Sequence, residues 1–276
     1  MQSSGSNHGA PDPEIHAFYR EALTTLRDSR MEFLVGGAYS MLQYAGIARN
    51  TKDLDIFIRP EDCDRILELL SGTGCRTQVM FPHWLGKAYC GSNYIDVIFS
   101  SGNAVAQVDD EWFAHAVEGD VLGIPVRFCP PEETIWSKAF VMERERYDGA
   151  DIAHLIRACG KTLDWRRLLR RFGSHWRVLL SHLVLFEFAY PSEQSQVPEW
   201  VMRELTRRLH NDRENSGEAD RICQGTLLSR EQYLVDIDQW GYRDARLLPK
   251  GNMTKGETER WTAAIPGKST ENPGEK

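Results

Sequence analysis

The chain has 276 residues, 41% hydrophobic and 26% charged, with a formal net charge of -7. Those proportions describe an ordinary packed globular protein, and the acidic balance disfavours a general nucleic-acid coat protein. Mean hydropathy is -0.46, and no run approaches the roughly 18 apolar residues that span a bilayer.

Residues 1 to 12 are polar and rich in Gly and Ser, without the apolar segment of a secretory signal. They are expected to form a disordered leader. Asp12 then offers a cap and Pro13 fits the first helical position. Ile15, Phe18, Tyr19, Ala22, Leu23 and Leu26 follow at helical spacing. A short apolar run, Glu32 to Val35, stops at Gly36-Gly37 and leads into a helical stretch from Ala38 to Tyr44, giving a strand-turn-helix unit. Asp53 to Arg59 alternates polar and apolar residues and predicts a strand; Pro60 opens a helix. Further strands are expected at Thr77 to Phe81, Lys87 to Cys90, Tyr94 to Phe99 and Val121 to Phe128, with Gly91-Ser92 as a turn. From Pro130 the pattern becomes helical: Glu132 to Tyr147, Asp151 to Cys159, Trp165 to Phe172, Trp176 to Phe188 and Glu199 to Leu209.

This division predicts an α+β protein. A core at 13–130, a small mixed sheet with flanking helices, precedes a helical region at 131–245. The polar stretch 246–276 is expected to be a disordered tail. The six cysteines stand singly, without a CxxC pair, which suggests buried free thiols in a reducing, cytoplasmic compartment.

The chemistry concentrates in Gly36-Gly37, Asp53-x-Asp55 and Asp96. Residues two apart on a strand share a face, so Asp53 and Asp55 project together while Leu54, Ile56 and Ile58 face the core. Asp96 stands alone among apolar residues in Tyr94 to Phe99. If the two strands are neighbours, the three carboxylates converge, and adjacent carboxylates repel unless a cation or proton lies between them. Such hard oxygen ligands match one or two Mg²⁺ ions that hold substrate phosphates. A glycine pair at the start of a helix lets backbone N–H groups approach a phosphate. These parts describe a phosphoryl or nucleotidyl transfer site.

Val35-Gly36-Gly37-Ala38 and the run from Arg49 to Ile56 resemble the signature of the polymerase-β-like nucleotidyltransferases, with the antibiotic-modifying and abortive-infection toxin enzymes as the nearest branches. The likeness extends over about residues 30 to 160, where Lys138 precedes Arg144, Arg146, Asp148 and Asp151 in a toxin-like pattern. The resemblance implies that Asp53, Asp55 and Asp96 bind two Mg²⁺ ions, or Mn²⁺, and carry the catalysis. It also implies a nucleoside triphosphate held by Gly36, Gly37, Arg49, Thr51 and Lys138. Many members carry Ser where Gly37 stands, which bears on the branch more than on activity. The expected reaction moves NMP from an NTP to a hydroxyl, releasing pyrophosphate, and the acceptor is left open among a small molecule, a tRNA end and a protein. Alternatives are the tRNA-directed toxin of a toxin–antitoxin pair and a non-catalytic nucleotide-binding module. Asp148 and Asp151 are expected to cap the next helix. Arg166, Arg167, Arg170 and Arg171 form a basic face opposite Trp165, Leu168, Leu169 and Phe172, open to solvent by default and to RNA or an acidic partner as the alternative.

Overall fold

A computed structural model describes residues 13–264 apart from 50, 52, 92 and 215–220. The leader at 1–12 and the end of the tail, 265–276, lie outside the described residues. The elements run α1 (Pro13–Asp28), β1 (Leu34–Val35), α2 (Gly37–Ala45), β2 (Asp53–Phe57), α3 (Cys63–Ser71), β3 (Arg76–Phe81), β4 (Leu85–Cys90), β5 (Asn93–Ile98), α4 (Asp110–Ala114), β6 (Val117–Val121) and β7 (Ile124–Phe128). Then follow α5 (Pro131–Lys138), α6 (Gly149–Cys159), α7 (Trp165–Phe172), α8 (Trp176–Ala189), α9 (Glu199–Glu214), β8 (Ile222–Cys223), α10 (Leu234–Asp238), β9 (Arg243–Asp244) and α11 (Lys255–Ala263). Among the described residues no helix is long and apolar enough to cross a membrane.

The mixed sheet has seven strands in the order β3-β4-β5-β2-β1-β7-β6. Its alternation separates two environments. Leu54, Ile56, Ile95 and Val97 are fully buried against α1 and α3, packed with Tyr19, Leu23 and Ile66. The opposite face carries the acids and turns toward the helices that follow. There a second core, with Trp112, Ile135, Ile152, Leu168 and Leu179, joins α4 to α8.

Four expectations change. The strand expected at 121–128 is a hairpin, β6 and β7, reversing at Leu122 and Gly123, whose φ values of 55° and 77° fit a tight two-residue turn. The helix expected to reach Tyr147 ends at Lys138, and Met142 and Tyr147 form an isolated bridge. Cys75 and Cys90, at facing ends of antiparallel β3 and β4, are joined as a disulfide; Cys63, Cys129, Cys159 and Cys223 are free. With that pair formed, cysteine usage no longer argues for a reducing compartment. The expected tail is ordered through residue 264: Arg246 is buried against Asp244, Met253 is fully buried, and Thr254 opens α11 with a capping box to Glu257. Sparse anchors suffice because Met253 and Trp261 each meet the body of the protein.

The basic face is also corrected. Arg167 is buried and pairs with Glu132 and Glu133 of α5; Arg171 pairs with Glu133, Asp109 and Glu111. Only Arg166 and Arg170 of the four are exposed. One turn of α7 thus supplies two cations inward, beside its apolar face, to neutralise two acids on α5. Removing one partner of a buried pair strands the other charge. Arg167→Ala is therefore expected to cost about 3–5 kcal/mol, measured by urea unfolding. A loss below about 1 kcal/mol, the scale of an exposed pair, would show that the pair is not structural.

Candidate active site

Parallel pairing of β2 with β5 sets Asp55 directly beside Asp96, and Asp53 beside Tyr94. Asp53, Asp55 and Asp96 therefore share one patch of the sheet, each half-buried, with one carboxylate oxygen from each lying within 4.8 Å of the others. Crowding makes ionisation harder at two of the three acids. The Asp55 carboxyl is pushed up to about 7, first by burial and then by Asp53 and Asp96; Lys138 and Arg146 oppose the rise. Asp96 is also raised, chiefly by burial, against the opposing effect of Lys87.

Each acid is held by a neighbour. The Thr51 hydroxyl donates to the Asp53 carboxylate, fixing the approach of the chain to β2. Lys87, opposite Asp96 on β4, reaches it at 2.6 Å and lies 4.0 Å from the centre of the Tyr94 ring. Asp55 is confined by the glycine turn. Gly36 donates its N–H to the Asp55 carbonyl at 3.0 Å, and Gly37 opens α2 at φ 54°. A Cβ on Gly37 would stand 1.7 Å from Asp55 Oδ2, and one on Gly36 would stand 2.3 Å from the Phe57 ring. Both positions thus require glycine for close approach, Gly37 also for its left-handed backbone. A side chain at Gly37 would displace the carboxylate.

Beyond the acids lies an ion network. Lys138 Nζ is 2.8 Å from Asp148 and 2.9 Å from Asp151, Arg146 grips Asp148 with two hydrogen bonds, and Arg49 pairs with Asp151. Asp148 sits at the N-cap of α6 but makes no side-chain capping bond. Its carboxylate serves the cations instead, which corrects the expected capping role. Arg49 and Lys138 are joined through Asp151, and Thr51 is joined to the acids through Asp53.

Gly36, Gly37, Asp55, Lys138 and Arg146 line a cavity of about 330 Å³ between the sheet, α5 and residues 226–230 and 261. That volume is in the range of small-molecule sites. Lys87 was not singled out from the sequence, although a two-residue turn at Gly91-Ser92 would have counted it opposite Asp96. The wall from Thr226 to Arg230 left no sequence signal, because only long-range packing brings it here.

Part of the chain is similar to known proteins. The profile of the family described as aminoglycoside-2''-adenylyltransferase matches residues 19–118, a span holding the glycine turn and all three acids. No curated protein matches the chain by sequence. The solution structure of the antibiotic-resistance factor ANT(2'')-Ia is similar at 19% identity and TM-score 0.46, over 62% of this chain and 97% of that one. An antigenic nucleotidyltransferase-like protein from Paracoccidioides brasiliensis is similar at 13% identity and TM-score 0.44, over 68% of this chain and 94% of that one.

The Asp55 carboxyl gives a pH prediction. Its folded value lies above its unfolded one, so the metal-free fold binds the extra proton and is favoured at low pH. That contribution disappears as pH rises toward and through about 7. Between about pH 4 and pH 7, metal-free wild type should lose stability relative to Asp55→Asn in urea unfolding. Parallel pH curves for the two proteins would contradict the crowding of the three acids.

Proposed function

We propose, taking the chain as a polymerase-β-like nucleotidyltransferase whose core resembles the antibiotic-modifying enzymes, that it moves a nucleoside monophosphate from an NTP to a hydroxyl of a small molecule. The observation that carries this reading is the patch formed by Asp53, Asp55 and Asp96. A raised carboxyl among three converging acids is the electrostatic signature of a cation site, and an all-carboxylate set matches hard divalent ions such as Mg²⁺ or Mn²⁺. Bound there, divalent ions would neutralise triphosphate charge and stabilise the attacking and leaving oxygens.

The chain's own residues supply the rest. Asp53 and Asp55 would hold the ions, and the N–H groups at the start of α2 would face the triphosphate. The acceptor oxygen attacks the α-phosphorus while the bond to the bridging oxygen of the β-phosphate breaks, and pyrophosphate leaves with that electron pair. Asp96 would help hold an ion or take the hydroxyl proton. Lys138 and Arg146 place two cations at the cavity wall, tethered by Asp148, where they offset phosphate charge. A small-molecule acceptor is supported by the name of the family whose profile matches, and by the inward pairing of Arg167 and Arg171, which halves the basic face that an RNA could use.

The test uses each α-labelled NTP with Mg²⁺ and a panel of hydroxylated small molecules, aminoglycosides included, read as labelled product and released pyrophosphate. Wild type should label at least one acceptor. Asp53→Asn, Asp55→Asn and Asp96→Asn should each lose two orders of magnitude or more, roughly the scale of several kcal/mol of charge stabilisation. Activity retained in all three variants would overturn the assignment.

A further inference from the structure

We infer that residues 226–230 and Trp261 roof a slot that holds the flat ring of a bound substrate beside the reacting end of the cavity, an inference that rests on the transferase reading above. The floor continues the acidic face. Phe57 follows Asp55 by two residues on β2 and Ile98 follows Asp96 by two on β5, so acids give way to apolar side chains about 7 Å along the strands. Trp84, Trp112, Leu227 and Trp261 complete this part of the lining.

The roof is fastened to the floor. Asn103 Nδ2 donates to the Leu227 carbonyl at 2.7 Å, Trp261 stands edge-on to Trp84 at 5.3 Å and 83°, and Arg230 lies 4.8 Å over the Trp261 ring. Glu143 in turn accepts from Ser229 Oγ and the Arg230 N–H at 2.6 and 3.1 Å, locking the strap from the other side.

The slot is aromatic as well as apolar. Phe57, Trp84 and Trp261 line it, and the fully buried Trp112 stacks on Phe57 at 5.4 Å and backs it. Aromatic rings favour offset-stacked or edge-to-face partners, so a slot walled this way fits a planar ring. Two substrates of this reaction could bring one: the nucleobase of the NTP, or an aromatic ring on the acceptor. The shared chemistry, a flat ring, is what the slot selects.

The test titrates three probes with Mg²⁺ into the full chain by calorimetry: α,β-methylene-ATP, inorganic tripolyphosphate, which has no ring, and phenyl β-glucoside. Trp261→Ala should weaken one ring-bearing probe about tenfold or more, the scale of losing a stacked ring. Tripolyphosphate binding should stay unchanged, and Trp261→Phe should restore most of the loss. Loss on the ATP analogue assigns the slot to the nucleobase; loss on the glucoside assigns it to the acceptor. Equal binding of both ring-bearing probes by wild type and Trp261→Ala would overturn the slot, as would a parallel loss of tripolyphosphate. Failure of wild type to bind Mg²⁺-tripolyphosphate would instead overturn the transferase reading beneath it.

Discussion

Like-charge crowding on the open face of β2 and β5 is the constraint around which this protein is arranged. Parallel register forces Asp55 against Asp96, and period-two alternation brings Asp53 to the same face. Left alone, three carboxylates within 4.8 Å would repel strongly. The fold contains the repulsion with Thr51 on Asp53, Lys87 on Asp96 and the glycine turn around Asp55. It does not remove it, because Asp55 stays protonated to unusually high pH. A site balanced this way is relieved by a cation or a proton placed among the acids.

The helical half serves the same end. Glu132 and Glu133 on α5 are anchored by Arg167 and Arg171, which fixes α5 against α7. The end of α5 then delivers Lys138 into the Asp148–Asp151 network at the edge of the cavity. Burying four charged groups to hold one helix is costly unless every charge is matched. Here each charge faces an opposite one, although Glu133 Oε2 and Arg167 Nε lack a hydrogen-bond partner, and the result is a lysine held at a set position relative to Asp55.

Much of this was legible in the sequence, for identifiable reasons. The alternation in Asp53 to Arg59 fixed which side chains face inward, and Leu54, Ile56 and Ile58 are fully buried as expected. Convergence of Asp96 with the pair depended on β2 and β5 being neighbours, which local pattern cannot show and the sheet order supplies. Arg167 and Arg171 looked solvated because helical spacing reveals a face but not the acids opposite it. The segment after Arg246 looked structureless because its anchors, Met253 and Trp261, are few and far apart. Its part in the cavity rests on contacts across more than 100 residues, such as Trp261 with Trp84. Cys75 and Cys90 stand singly in the sequence, and their pairing follows from the β3–β4 register rather than from spacing.

The claim on which all of this turns is that the three acids form a divalent-ion site. Anomalous diffraction from crystals soaked in Mn²⁺ and a non-reactive NTP analogue tests it most directly. The account predicts manganese density bounded by Asp53, Asp55 and Asp96, with the triphosphate beside Gly36 and Gly37. Triphosphate density at the glycine turn with no manganese at the acids, or manganese bound only elsewhere, would contradict it.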